Sequence, residues 1–309
     1  MSLFLAFSLS LSLSHTHTHL LARLTHSLTH SFTRTGTSLL RCADNTNLAP
    51  KVAKEFLEFT LSMYVNVADE TLLNCATDVV VLMGSSIVHL LPPIVEAVFP
   101  STSAHMKRGG GPDGVPEICT SFFKFLNVVC RVCGEATFET NVFAMANAIM
   151  NASVSVLQQQ PQHRDASSAV LELVQTTLQV ISNARSKQGC LLGVAFFKSL
   201  SSSDMGASLV KALLVAARGA MPSWMIVPVS RTLHSVLASC PNHFTQWFVA
   251  AAVSPSISQE RALNMASQLH ACGTDRSRFK RILKSLSGGK KRGTEGSPSS
   301  NTKGASTSK

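Results

Sequence analysis

The sequence predicts an all-α protein, and both its composition and its hydrophobic spacing lead to that class. Hydrophobic residues make up 45% of the chain but aromatic residues only 6%, with a single tyrosine, so the core must be built from Leu, Val, Ala, Ile and Met. Such a core favours packed helices, because a β-sandwich relies on alternating aromatic and β-branched residues. Period-two strand patterns and Asn-Gly hairpin turns are almost absent from the sequence.

Apolar residues that recur every three or four positions predict a succession of helices from Pro50 onward. In the first helix we expect Phe56, Phe59, Met63 and Tyr64 to share the buried face. A second helix covers 71–83, Pro-Pro at 92–93 opens a third, and the stretch KRGGGPDG at 107–114 predicts a flexible surface loop. The remaining helical segments are 116–133, 139–157, 164–184, 189–200, 206–220, 222–239, 241–252, 256–272 and 275–286.

The later helices are predicted to form pairs that begin at Pro116, Asp165 and Pro222, spaced 49 and 57 residues apart. HEAT-type repeats recur at roughly 40–47 residues with irregular insertions, so this spacing is compatible with them. One helix pair cannot bury its own apolar face, and stacking of successive pairs covers it. The predicted fold is therefore a right-handed α-solenoid of HEAT-like helical hairpins over residues 50–286.

Both ends of the chain are predicted to lie outside this fold and to be disordered. Residues 1–49 are of low complexity and include SLSLSLSHTHTHLL at 8–21, where pairs of residues alternate. Three interpretations stay open for this segment: a translated CT and CA simple repeat, a mitochondrial transit peptide, or a secretory signal peptide. Residues 287–309 are a basic, low-complexity tail, in which KKR is a weak match to a nuclear localisation signal.

The positive charge of the chain is concentrated at its C-terminal end. The formal net charge is +10, and residues 276–309 hold ten basic residues against one acidic residue. In segment 275–286, Phe279, Ile282, Leu283 and Leu286 fall on one side of a helix, and we expect this stripe to dock on the preceding helix. The basic positions then form either the polar cap of the array or a site for an acidic or phosphorylated partner. These candidate partner-binding residues are Arg276, Arg278, Lys280, Arg281 and Lys284.

No sequence pattern predicts catalysis, a cofactor or a metal site. The chain lacks G-x-S-x-G, P-loop, G-x-G-x-x-G and H-E-x-x-H motifs, so we expect that it is not an enzyme. Cys130 and Cys133 form an isolated C-x-x-C, for which core packing is the preferred interpretation. His234 is expected to be structural, and Trp224 and Trp247 are expected to fill interfaces between repeats.

The segment ARGAMPSWMIVPVSRTLHSVLASCPNHFTQWFVAAA, residues 217–252, resembles the closing repeat of the importin-β superfamily, in its SR-protein transportin and importin-thirteen branch. There too a helix is followed by a short hydrophobic helix with Phe and Trp near its middle, here Phe244 and Trp247, and then by a basic terminal helix, here 275–286. The upstream order of PEICTSFFKFLNVV, ETNVFAMANAIM and AVLELVQTTLQVI is similar to the preceding repeats. The resemblance covers residues 50–286.

This resemblance implies a nuclear transport receptor that binds cargo proteins on a curved helical surface under control of the GTPase Ran, in nucleus and cytoplasm. In this superfamily Ran-GTP is held chiefly by N-terminal repeats that have no counterpart here, so the chain is expected to be a C-terminal segment. A membrane partner is not expected, and nucleic acid is disfavoured. The alternative, from a different class, is a standalone α-helical scaffold or RNA-associated protein that docks through its basic helix.

Overall fold

The computed structural model describes residues 31, 38, 49–133, 142–186, 191–202 and 204–287. These residues are mainly α-helical and form no strand apart from an isolated bridge between Ser254 and Ile257, so the prediction of an all-α protein is confirmed. The predicted disordered ends lie outside the described ranges except at residues 31, 38, 49 and 287. Between residues 49 and 287, the described ranges contain twelve α-helices: α1 (Ala49–Val67), α2 (Glu70–Met83), α3 (Leu91–Arg108), α4 (Pro116–Cys133), α5 (Val142–Gln158), α6 (Arg164–Ser186), α7 (Leu191–Ser202), α8 (Asp204–Val215), α9 (Ile226–Ser239), α10 (Pro241–Ala252), α11 (Gln259–His270) and α12 (Arg276–Ser287).

Helix starts follow from local capping chemistry. At the start of α2, the Asp69 carboxylate accepts hydrogen bonds from the Thr71 backbone N–H (2.8 Å) and hydroxyl (2.6 Å). Such a cap satisfies a donor that the first turn leaves unpaired. Proline occupies the first turn of α3 and α10, where its missing N–H costs nothing. These local signals explain why the predicted and observed boundaries agree closely at Pro116 and Pro241.

The helices contact one another in two series. In the first series α2, α4, α6, α9 and α12 pack in succession. In the second, α1, α3, α5, α8, α10 and α11 pack in succession, and contacts of α1 with α2, α3 with α4, α5 with α6 and α8 with α9 join the two series. Helices α4 and α6 are consequently covered on several sides and contribute many of the fully buried side chains.

The observed packing departs from the predicted pair starts at Pro116. The sequence places Pro116 at the beginning of a pair, whereas α4 packs against α3, which precedes it, more than against α5. At the other two predicted starts, α6 packs on both α5 and α7, and α9 packs on both α8 and α10. Helix α7 adds a further departure, because it packs on α5, α6 and α8. Spacing along the chain locates the helices, but long-range contacts decide which neighbours pair.

Helix α1 buries most of the predicted face, with Phe56 and Met63 partly buried against the core, and Phe59 is the exception. Tyr64 is fully buried as expected, but Phe59 is 42% exposed, and the inward positions also include Leu57 and Leu61. The Tyr64 hydroxyl hydrogen-bonds to Thr102 Oγ1 on α3 at 2.8 Å, and burial raises the pKa of this phenol to about 12. The prediction for Phe59 was wrong because α1 carries two adjacent apolar stripes, and the packing of α2 and α3 selects one of them.

The predicted loop after α3 is present and is held by hydrogen bonds. The Asp113 carboxylate accepts bonds from the backbone N–H groups of Gln162 (2.8 and 3.0 Å) and His163 (2.9 Å) in the linker before α6. Gly111 adopts φ +96°, a conformation that favours glycine, and its N–H donates to Met106 O at 2.8 Å. Loop and linker are thus joined across about fifty residues of sequence.

Trp247 fills the space between two neighbouring helices, α8 and α10. It is 6% exposed on α10 and lies over Gly206 of α8, where an added Cβ would stand 2.5 Å from Trp247 Cη2. Glycine is therefore required at this close approach. Trp224 is half-buried, and the Arg164 guanidinium lies 5.8 Å from its ring centroid, a cation–π contact.

Candidate partner-binding surface

The basic helix α12 begins at an aspartate cap. Asp275 Oδ1 accepts hydrogen bonds from the backbone N–H groups of Ser277 (3.0 Å) and Arg278 (2.9 Å). This cap satisfies two donors of the first turn and places a negative charge at the positive end of the helix dipole. The sequence TDRSR therefore starts the helix at Arg276, which agrees with the predicted start within one residue.

The apolar stripe of α12 is buried as predicted. Phe279 and Leu283 are fully buried, Leu286 is 8% exposed, and Ile282 is partly buried against the same core. The main docking surface is α9 together with the Ala216–Ala220 segment, although α11 also contacts α12. We expected the stripe to dock on α11, the immediately preceding helix. That expectation was wrong for most of the buried surface, because the chain turns at 271–275 and brings α12 beside α9.

His234 of α9 joins these two helices. Its Nε2 lies 2.7 Å from the backbone oxygen of Gly273 in the turn before α12. Its ring meets the Phe279 ring edge-on, with centroids 5.3 Å apart. The expectation that His234 is structural is consistent with these contacts, which help to hold α12 in place.

The five candidate cations lie outside the buried stripe of α12. Arg276, Arg278, Arg281 and Lys284 are exposed, and Lys280 is half-buried. At 100° per residue, Arg281 and Lys284 project opposite the apolar stripe, and the others flank it. Within the described ranges the one ion pair joins Lys54 to Glu58 on α1, so none of the three arginines has a carboxylate partner there.

Arg218, in the Ala216–Ala220 segment against which α12 packs, does not belong to the charged surface. Arg218 is half-buried, its Nη2 donates to the backbone oxygen of Ala252 at the end of α10, and burial lowers the pKa of its guanidinium. Arg218 is therefore a contact at a helix end.

The cysteines of the described ranges lie in the core. Cys75, Cys119, Cys130, Cys240 and Cys272 are buried and are not in disulfides, in agreement with the predicted core packing, whereas the side chain of Cys133 lies outside the described part. Burial, with a smaller contribution from nearby acids, raises the pKa of Cys75 and of Cys119 to about 12. Buried thiols of this kind are poor nucleophiles and poor metal ligands.

Two other kinds of feature, a metal site and a membrane-spanning helix, have no candidate in the described part of the chain. No group of three or more His, Cys, Asp and Glu side chains there could hold a metal ion. None of the helices described is long and apolar enough to cross a membrane. The basic face of α12 is therefore the candidate site with the clearest chemical character.

Comparison with known proteins does not assign a family. No protein-family model matches the chain, and no curated protein is significantly similar to it.

Proposed function

We propose that the chain is the C-terminal segment of a karyopherin-type nuclear transport receptor, which binds cargo proteins during nucleocytoplasmic import without catalysing a reaction. The proposal places the protein in nucleus and cytoplasm. It rests on the resemblance of residues 50–286 to the importin-β superfamily and on the packing of the helices. Ran is implied by the resemblance, although the repeats that hold it in this superfamily have no counterpart in the chain.

The packing supports a HEAT-like solenoid as the finer description of the fold. In such arrays one helix of every hairpin contacts the equivalent helix of the next hairpin. Contacts along α2, α4, α6, α9 and α12, and along α1, α3, α5, α8 and α10, follow this rule. Helices α7 and α11 would then be insertions.

The exposed cations of α12 are the single observation that carries the binding role. Arg276, Arg278 and Arg281 are exposed and lack described carboxylate partners, while the apolar stripe beneath them holds the helix in place. A rigid helix that presents several guanidinium groups matches carboxylate-rich or phosphorylated segments, since guanidinium binds such groups with two parallel hydrogen bonds. Charge complementarity of this kind sets specificity and association rate more than affinity.

The proposal is tested with the full-length chain in a nuclear import assay with permeabilised cells and fractionated cytosol. Proteins that the chain captures from cytosol are labelled and added back with it, with and without Ran-GTP. We expect their nuclear accumulation to depend on the chain. Replacing Arg278 and Arg281 by alanine should lower both capture and accumulation.

The matched control removes the same charge from another helix. Lys124 and Arg131 are exposed on α4, and alanines there should leave capture and accumulation unchanged. Equal effects of the α12 and α4 variants would show that total charge, and not the α12 surface, governs binding. Captured proteins that enter nuclei equally well without the chain would contradict the transport role.

A scaffold or RNA-associated protein is the second candidate, because exposed arginines on α12 also suit a phosphate backbone. Binding to a nucleic acid separates the RNA-associated role from cargo binding. A labelled 20-nucleotide oligouridine should bind the full-length chain at 50 mM salt and bind much more weakly at 200 mM salt if α12 holds phosphates. No measurable binding at 50 mM salt would remove the RNA-associated role.

A further inference from the structure

A cleft lies between α3 and α5, far along the array from α12. Its volume is about 400 Å³, towards the lower end of the range of about 300–1,000 Å³ for small-molecule pockets. One face of α3, from Phe99 to Lys107, forms one wall, and the other wall is formed by α5 from Ala152 to Val156 together with Gln159, which directly follows the helix. The cleft therefore follows the gap between two successive helices of the second series.

The floor of the cleft is apolar and firmly packed. Phe122 of α4 lines it and is 1% exposed, and Phe99 meets the Phe122 ring edge-on at a centroid distance of 5.1 Å. Met106 and the buried Val156 complete the apolar lining. An apolar side chain that enters this space would move from water into contact with aromatic and aliphatic groups. The free energy gained is proportional to the apolar surface area that becomes buried.

The glycine-rich loop closes one end of the cleft. Gly110, Gly111 and Pro112 line it, and Gly111 is so close to α5 that an added Cβ would stand 2.9 Å from Gln159 Oε1. The bonds from Asp113 to the 162–163 backbone hold this loop in position. The closed end is thus built by the fold rather than by loose surface side chains.

The cleft carries positive charge only. Lys107 is the only charged side chain among the twelve residues that line it, and it is exposed at the loop end. Asp113, the one carboxylate of the loop, is engaged with the backbone of the following linker. Ser103, Ser155 and Gln159 lie in the walls and offer hydrogen-bond donors and acceptors.

We propose that this cleft binds a peptide segment that carries a bulky apolar side chain next to an acidic residue, with the apolar group on the Phe99–Phe122 floor and the carboxylate beside Lys107. The polar side chains in the walls of the cleft can form hydrogen bonds with the backbone of a peptide. A fatty acyl chain has no groups that could use these hydrogen bonds, so a peptide fits the cleft better. The inference deepens the proposed binding function, because it gives the chain a second recognition point with its own sequence preference.

The test is selection of a random dodecapeptide library on phage against the immobilised full-length chain. We expect enriched sequences to place Leu, Met or Phe within two positions of Asp or Glu. The most enriched sequence is then made as a fluorescein-labelled peptide, and its Kd is measured by fluorescence anisotropy. A second peptide, in which Lys replaces the acidic residue, serves as its charge-swapped counterpart.

Two pairs of variants locate the site. Ala152→Trp places a large ring in the cleft and should weaken binding at least about tenfold, whereas Ala148→Trp, on an exposed position of the same helix, should leave Kd within about twofold. Lys107→Glu should raise the Kd of the acidic peptide about tenfold and lower the Kd of the charge-swapped peptide. Lys211→Glu on α8 makes the same charge change at an exposed position outside the lining.

Three results would overturn the proposal: no enrichment of any peptide, enriched peptides without an acidic residue, or equal binding to the Ala152→Trp chain. These outcomes are separable from the import experiment. If import depends on the chain but the peptide selection fails, the transport role is supported and peptide binding in the cleft is rejected. If peptides bind but import does not depend on the chain, peptide binding is supported and the transport role is rejected.

Discussion

Truncation of Phe279 to alanine tests whether the apolar stripe holds the basic helix in place. The ring is fully buried and contacts His234 of α9 edge-on at 5.3 Å. Removal of a buried phenyl ring costs about 3–5 kcal/mol, since the transfer free energy is lost and a cavity remains. The aromatic contact accounts for about 0.5–1.5 kcal/mol of this sum.

Detachment of α12 is the expected response. It is the last described helix, so it can open without unfolding of the helices before it, and the free-energy cost is expressed locally. A cost of about 3 kcal/mol raises the equilibrium constant for opening more than about 100-fold. We therefore expect amide hydrogen exchange in residues 276–287 to accelerate by that factor while a peptide from α6 keeps its wild-type rate.

Hydrogen exchange with mass spectrometry on the full-length chain measures both segments in one experiment. Arg278→Ala is the matched control, because this side chain is exposed on the same helix and its loss removes charge but little packing. Exchange in 276–287 within threefold of wild type in the Phe279→Ala chain would refute the reasoning. Equal acceleration in the Arg278→Ala chain would refute it as well.

Three further predictions concern packing, the loop and the thiols. Gly206→Val should overlap the Trp247 ring and destabilise the chain by about 3 kcal/mol in urea, and Trp247→Phe should restore part of the loss; strictly additive effects would contradict this contact. Asp113→Ala should cost about 1–2 kcal/mol, since the Gln162 and His163 amides lose their acceptor, and an unchanged urea midpoint would count against this role. Burial raises the pKa of Cys119 from its ordinary 9.0 to about 12, so stability that is present below pH 9 falls as pH rises towards 12. Because Cys75 is raised in the same way, both chains should lose stability, but by pH 10.5 the wild-type chain should lose about 2 kcal/mol more than the Cys119→Ala chain. Equal pH slopes for both chains would disprove the contribution of Cys119.

The interfaces that these experiments probe join segments that are distant in sequence. His234 is separated by 45 residues from Phe279, and Asp113 by 49 from Gln162. Local alterations at such points are expected to affect two helices at once. The proposed surfaces on α12 and in the cleft both depend on contacts of this kind.

The sequence alone determined the helices and much of the basic site. Three- and four-residue spacing located nearly all the helices, and the stripe of Phe279, Leu283 and Leu286 gave the orientation of α12, because these signals are local and repeat within each helix. The cleft, with its Phe99–Phe122 floor, could not be predicted, since its walls come from helices with a whole helix and an undescribed segment between them.

Only the tertiary structure decided which apolar stripe of α1 is buried, that α4 pairs with α3, and that α12 lies mainly against α9. The physical reason is the same in each case. Hydrophobic spacing predicts that an apolar face of a helix must be covered, but it does not predict which other apolar face covers it. That choice depends on the sum of the packing contacts among all the helices.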